Sequence, residues 1–403
     1  MIGILRYVKS YLVGKYQSFR DSENSFVVMM FCNRLVGIFD NPNSELNRLH
    51  PVKNVLITLA IVYTLLETGS IIFFKPFNTN QHFEILFMTF SRQLCVILWT
   101  SLAVYRGDLK QIWIYLFDLQ CNTPDERRSK PIRTINRFML TFLMLNLFPT
   151  VVWSLNGRSG SPIDLFKNDL IDMFNAILNP IAVFVLTFMF HYSMIVVCSI
   201  LPALTLEFRL LGLDFERIFE DVGSLEETVR SAAKHWDKLE QAFVSCVERH
   251  QTLLNTAATF RQQLKTYFLI QLGIDFIAIV LSTLMYAFTR QQVDSSFVFT
   301  VFAAITNLFN LLLFGFLCDQ MEEQVAAINY HLYCSGWTDK LIYSRTFGWR
   351  YIKLRKMILI VMERTQKKVG FTCGSMFGMS LVICRKVVWF AYSVLTVLIG
   401  FLQ

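Results

Sequence analysis

The chain has 403 residues and a formal net charge of +8; 54% are hydrophobic and 17% charged, where a soluble domain carries about 25% charge. A mean hydropathy of +0.44, with 38 Phe but only 17 Gly and 9 Pro, excludes disordered, collagenous and low-complexity chains. So much apolar surface belongs in a bilayer, and the basic excess then encodes orientation rather than nucleic-acid binding.

Met1 to Phe19 alternates Ile, Leu and Val with Arg6, Lys9 and Lys15 and lacks the continuous apolar stretch of a secretory signal, so an uncleaved amino terminus is expected. Seven runs then follow that are long and apolar enough to span. They are Val52 to Phe74, Phe83 to Tyr105, Phe138 to Leu155, Ile171 to Leu201, Tyr267 to Phe288, Phe297 to Cys318 and Met376 to Leu402, the last carrying Arg385 and Lys386. The expected fold class is therefore an all-α membrane protein of seven transmembrane helices. Basic residues gather before the first run (Arg20, Arg34, Arg48), in the second loop (Arg106, Lys110, Arg127, Arg128), in the fourth (Arg209, Arg217, Arg249) and in the sixth (Arg350, Lys353, Arg364, Lys367). The alternate loops keep only Lys75, Arg158, Lys167 and Arg290. The amino terminus is thus expected in the cytosol and the carboxyl terminus outside.

The expected organisation is a cytosolic amino-terminal segment (1–51), helices one to four (52–201), a cytosolic helical extension (202–266), helices five and six (267–318), a cytosolic loop and helix (319–375) and a last membrane helix (376–403). Within the extension, Leu225, Val229, Ala232, Trp236, Leu239, Phe243, Cys246, His250, Leu253 and Ala257 recur at alternating steps of three and four. This predicts one long helix, opened by the capping pair Ser224 and Glu227 and continuing into the fifth span, with a seam that packs either on its own neighbours or on a partner. Leu354, Met357, Ile358, Val361, Met362 and Thr365 predict a second, amphipathic cytosolic helix. Gly370 and Gly374 then break the seventh helix into a cytosolic half and a membrane half.

No His-Glu-x-x-His pair, Gly-x-Ser-x-Gly elbow, Cys-x-x-Cys or phosphate-cradling loop occurs, so an enzyme is disfavoured and no metal or cofactor is expected. The nine cysteines read as small buried hydrophobes, and His191 and His250 as packing residues. Intramembrane polar groups are costly, which singles out Glu67, Arg92, Asn146, Asn175, Asn179, Asp275, Asn307 and Asn310, either as ligand or ion contacts or as glue between helices. On the last helix Ser393, Thr396 and Gly400 leave one face small and mildly polar, with Leu395 and Leu398 beside it. Such a stripe suits a helix lining a wet path with a dewetting constriction, and equally a packing seam.

The last third also carries a specific order of residues. Trp337 lies in Ser335-Gly336-Trp337-Thr338-Asp339; Arg364 and Gln366 lie in a run from Met357 to Lys367; Gly374 and Ser380-Leu381 follow, then Tyr392 in Ala391-Tyr392-Ser393-Val394-Leu395-Thr396-Val397-Leu398. In this order and spacing the chain resembles the insect odorant receptors. A weaker echo is Val247-Glu248-Arg249-His250-Gln251 followed by Leu253-Leu254, and one departure is Lys368-Val369 where many members place Pro.

The resemblance implies a tetrameric, ligand-gated, non-selective cation channel in the cell membrane of an olfactory neuron dendrite. Four membrane halves of helix seven would line one pore, with Ser393, Leu395, Thr396 and Leu398 at the gate, and Trp337, Arg364, Gln366, Gly374 and Tyr392 would serve the anchor motif. The compact fourth loop implies a tuning subunit that assembles with co-receptor subunits. A pocket for a small volatile odorant is implied in the outer half. Its wall, assigned by depth alone, is Phe87 and Ser91, Phe148, Val151 and Trp153, Phe174 and Ile177, Tyr286, and Phe299 and Ala303. Three alternatives fit less well: a gustatory-type relative, whose last helix carries a different terminal motif; a G-protein-coupled receptor, opposed by the inverted charge bias; and a transporter, which would show an internal repeat.

Overall fold

The structure is a computed structural model that describes residues 14, 16–39, 50–73, 79–122, 125–156, 169–219, 229–289, 295–341, 343–367 and 369–402. Side chains at 50, 52, 70–73, 79–88, 148–156, 169–175, 229–232, 235, 282, 284–289, 295–300, 303, 398–399 and 401–402 lie outside that description. Each of the seven apolar runs contains a helix: α2 (His50–Phe73), α3 (Thr79–Val104), α5 (Glu126–Asn156), α6 (Asp169–Arg217), α7 (Val229–Thr289), α8 (Ser295–Cys334) and α11 (Leu381–Leu402); the last starts at Leu381 and not at Met376, because the chain from Met376 to Ser380 completes a hairpin. Among the described residues, Ala176–Arg217, Trp236–Leu281 and Ala304–Lys340 are long and apolar enough to cross a membrane on composition alone.

Two further helices stand where only basic loop was expected. In α1 (Val27–Val36), Val28, Met29, Cys32, Asn33 and Val36 are buried, and the helix packs mainly on α6. In α4 (Arg106–Asn122), Leu109, Ile112, Trp113 and Leu116 are buried at helical spacing, against α7 and α6. Bundle order follows from α6, which touches α8, α5, α3, α2, α1 and α7. From Tyr192 to Leu201 it is buried on every side, as befits an apolar helix at the centre of a bundle.

The predicted long helix is α7, about 90 Å at 1.5 Å per residue. From Trp236 on, its seam is closed within the subunit: Trp236, Leu239, Phe243, His250, Leu253 and Ala257 are buried and Cys246 is half-buried, while Leu225 and the side chains of Val229 and Ala232 lie outside the described residues. Phe243 meets Phe215 and Phe219 of the α6 end at 5.5 and 6.3 Å between ring centres, and Trp236 stacks on Phe347. Of the two readings of the seam, packing on its own neighbours is the one realised. The capping pair Ser224 and Glu227 lies outside the described residues.

After the short α9 (Trp337–Lys340), the seventh helix is split as expected into α10 (Gly348–Gln366) and α11. Between them sits a hairpin, β1 (Thr372–Cys373) antiparallel to β2 (Phe377–Gly378). Gly374 and Ser375 have φ of 57° and 65°, and Met376 N–H donates to Cys373 O at 2.9 Å, which is a type I′ turn. Gly374 is required twice over. Its φ is positive and a Cβ there would meet Leu269 Cδ2 at 2.6 Å, while its N–H, as that of any residue but proline could, donates to Lys265 O of α7 at 2.9 Å.

Candidate pore helix and buried polar groups

The α11 helix is held to its subunit along one narrow stripe. Cys384 and Ala391, seven residues apart, are buried against α7 and α8, whereas Val382, Trp389, Tyr392 and Val397 are 57 to 72% exposed. Its amino end is fastened to α8. The Asp319 carboxylate accepts from Leu381 N–H at 2.9 Å, capping a helix start that leaves unpaired donors. Cys384 Sγ donates to Leu311 O at 3.3 Å, and the close approach is set by Gly315, where a Cβ would meet Cys384 Sγ at 2.8 Å and Leu381 N at 3.0 Å. Further along, Phe276 of α7 stacks on Phe390 at 5.5 Å. Ser393 and Thr396 donate to Trp389 O and Tyr392 O one turn back, at 3.0 and 2.8 Å. Their hydroxyls are thereby satisfied in the helix without a partner chain.

Two charged networks lie elsewhere in the bundle. At membrane depth, Arg92 of α3 pairs with Glu67 of α2, donates to Asn179 Oδ1 of α6 at 3.0 Å and stands 5.9 Å from the Tyr63 ring. Three of the singled-out polar residues are thus one cluster joining three helices, with Arg92 and Glu67 almost fully buried. At the other end of the bundle, Arg128 grips Glu207 with two bonds of 2.9 and 3.1 Å. Arg249 bridges Glu207 and Asp214 at 2.7 and 2.8 Å, and Arg127 bonds Asp214 at 2.6 Å. This ladder ties α5, α6 and α7 together. Asp125 and then Asp214 hold the Arg127 guanidinium well above its ordinary pKa. Burial, aided by Arg364, pushes His250 on the seam down to about 4 and keeps it neutral.

Other polar groups are less well satisfied. Gln271 donates to Asp275 Oδ1 at 2.8 Å, but among the described residues Asp275 Oδ2, the Tyr267 hydroxyl and both amide atoms of Asn310 have no hydrogen-bond partner. All four residues are buried, on α7 and α8. Asn146 bonds back to Phe142 O at 2.7 Å, and Asn307 is half-buried. The side chain of Asn175 lies outside the described residues. No group of His, Cys, Asp and Glu able to hold a metal occurs among the described residues.

The sequence profile described as 7tm odorant receptor matches residues 78–392. The chain belongs to this odorant receptor family. Odorant receptor 98a of Drosophila melanogaster is 23% identical to it over 298 residues, 69% of this chain and 68% of that relative. Its fold is shared by the insect olfactory receptor OR5 from Machilis hrabei, alone and in complex with eugenol. The TM-score is 0.70 in both cases at 14% identity, over 98 and 97% of this chain and 98 and 99% of those chains. This odorant receptor is accordingly a membrane-embedded helical receptor and not an enzyme.

The residues singled out in this odorant receptor fall into three groups. Of the anchor-motif residues, Trp337 is buried after the left-handed Gly336, Gly374 makes the hairpin turn, Arg364 and Gln366 are exposed at the end of α10, and Tyr392 is 66% exposed on α11. They lie on separate elements and do not converge on one site. At the gate positions, Thr396 is exposed and Ser393 and Leu395 are half-buried; the Leu398 side chain lies outside the described residues. Of the pocket positions, Ser91 is half-buried and Ile177 is 58% exposed on the outside of α6. The side chains of Phe87, Phe148, Val151, Trp153, Phe174, Tyr286, Phe299 and Ala303 lie outside the described residues. Sequence reasoning did not identify Glu207 and Asp319, which lie just past the ends of apolar runs, where a carboxylate reads as a solvated loop residue.

Proposed function

We propose that this odorant receptor is the tuning subunit of a tetrameric, odorant-gated, non-selective cation channel, with its amino terminus cytosolic and co-receptor subunits as partners. The observation that carries the reading is the single attached stripe of α11. A highly apolar helix with one buried stripe leaves its aromatic outer face to lipid or to further protein, and four copies about an axis would cover that face while leaving room for a central path. The cytosolic α10 points the same way. Trp349, Ile352, Leu359 and Ile360 are 46 to 60% exposed beside Lys353, Arg355 and Lys356, on a helix too basic to lie in lipid. Neighbouring subunits would cover that face, so residues 202–266 and 319–375 would form the anchor, and α11, within 376–403, the pore helix. Placement in the dendritic membrane of an olfactory neuron follows from the same reading.

Gating follows from which helices carry both ends of the machinery. The outer parts of α7 and α8 reach the depth assigned to the odorant, and their inner parts hold α11 through Phe276, Leu311, Gly315 and Asp319. An odorant that binds the open arrangement better shifts the population toward it, and only that difference in affinity acts. Moving the equilibrium from 1:99 to 99:1 takes about 5.5 kcal/mol, and one micromolar ligand has about 8 kcal/mol of total binding energy. Several partly discriminating sites therefore suffice. The orphaned polar groups of Asp275, Tyr267 and Asn310 lie on the two helices that would move, where rearrangement can give them partners. A small aromatic such as the eugenol named in the relative's complex is the ligand class this wall of Phe, Tyr and Trp would suit.

The test is to express the chain with and without co-receptor, with G-protein signalling blocked, and apply an odorant panel. A current that needs both subunits and changes its ion permeation in Leu395→Ala supports the channel. A response abolished by the block, or permeation untouched by changes at Ser393, Leu395 and Thr396, overturns it.

A further inference from the structure

A cleft of about 750 Å³ opens between α5, α6 and α8, away from both the outer half and the α11 stripe. Its walls on α5 and α8 are graded, from Arg127 and Lys130 to Phe138 and from Gln324 and Gln320 to Leu313, and on α6 Arg209 is the one cation, with Pro202, Thr205 and Leu206 on one side of it and Leu210 and Leu213 on the other. Because α8 runs opposite to α5, these two gradients point the same way in space: a cationic and amide mouth, then about 10 Å of apolar trough at 1.5 Å per residue. No Asp or Glu lines it. Arg127 is engaged by Asp125 and Asp214 yet keeps a buried Nη1 without a partner, and Lys130 and Arg209 are exposed and make no ion pair among the described residues.

We infer that this cleft is a binding site for an anionic phospholipid of the cytosolic leaflet, its phosphate at Lys130, Arg209 and Arg127 and an acyl chain along Ile135, Leu206 and Phe316. Charge decides the class. Lys130 and Arg209, in a cleft that no carboxylate lines and in no ion pair among the described residues, attract an anionic headgroup at about 1 kcal/mol each, whereas a zwitterionic one brings its own ammonium into the same field. Depth decides the source, since the trough continues from the mouth into the span and a soluble anion would leave it empty. The leaflet assignment rests on the orientation proposed above, but the lipid selectivity does not. An occupied cleft would press on α8 at Gln320, next to the Asp319 that caps α11.

The experiment is native mass spectrometry of the full chain in detergent, titrated with phosphatidylserine, phosphatidylcholine of the same chains, and soluble inositol trisphosphate. Phosphatidylserine should be retained selectively, and Lys130→Gln with Arg209→Gln should weaken it by roughly 30-fold, about fivefold for each cation. Thr134→Trp, at an exposed wall position, should fill the trough and remove the lipid while inositol trisphosphate binding and thermal unfolding stay unchanged. Equal retention of the two lipids, phosphatidylserine retention that survives both variants, or inositol trisphosphate displacing it regardless of the tail would each overturn the assignment. Channel activity enters none of these readouts, so a failed lipid site leaves the gating proposal standing and the reverse also holds.

Discussion

The α6 and α11 helices are both strongly apolar, yet one is buried on every side from Tyr192 to Leu201 and the other along a single stripe. Hydropathy cannot separate them, because lipid, a bundle core and a neighbouring subunit are all apolar surroundings. What separates them is polar anchoring. The α6 helix is fixed to three neighbours by charge: Asn179 to Arg92, Glu207 to Arg128 and Arg249, and Asp214 to Arg127. The α11 helix has its capped amino end and little else, which leaves its far end free to be positioned by other subunits.

The comparison breaks hardest at Glu207. It is fully buried, and Arg128 beside it is 5% exposed, so Glu207→Ala removes the carboxylate from a guanidinium that cannot reach water. The expected loss is about 3–5 kcal/mol of stability, read as a lower unfolding temperature of the detergent-solubilised chain. Glu207→Gln keeps the shape and should lose less. A variant as stable as the parent would mean that the ladder is not what fixes α6.

Acid attacks the same joint between α6 and α7. His250 is held at about 4 against an ordinary 6.5, first by burial and then by Arg364. The unfolded chain therefore takes up a proton between pH 6.5 and 4 that the folded chain refuses, so stability is full above 6.5 and falls as the pH drops through that window. The span corresponds to about 3 kcal/mol. Unfolding followed from pH 7.5 to 4.5 should show this slope, and His250→Phe should flatten it.

Much of this architecture was legible in the residues. The seven runs, the continuous helix through Trp236 and Phe243, and the break at Gly370 and Gly374 follow from periodicity and from what glycine permits. The helix α4 could also have been read, since Leu109, Ile112, Trp113 and Leu116 have helical spacing; its basic neighbours drew attention to orientation instead. The ladder could not be read, because Arg128 and Glu207 are 79 residues apart and pairing at that distance is a property of the fold. Nor could the pocket wall, because depth along a helix does not fix which way a side chain is turned. Ile177 shows this, at the assigned depth but facing outward.

At the hinge between the two halves of helix seven, Gly374→Ala adds a Cβ at positive φ and drives it into Leu269. About 2 kcal/mol of destabilisation is expected from the conformation and the contact together. Partial relief by Leu269→Ala in the same chain would show that the clash, and not the turn alone, is responsible.

The smallest effect on the subunit should come from the outer face of α11. Trp389 is 72% exposed and contributes little to its own fold, so Trp389→Ser is expected to change subunit stability by less than about 0.5 kcal/mol. If neighbouring subunits cover that face, the same change removes a large aromatic contact from every interface in the ring, and the oligomer should dissociate at lower detergent and at less dilution than the parent. Loss of assembly with subunit stability intact is a combination that a lipid-facing tryptophan does not produce. Equal losses in both measurements would instead place Trp389 in the subunit's own packing and remove the contrast between α6 and α11.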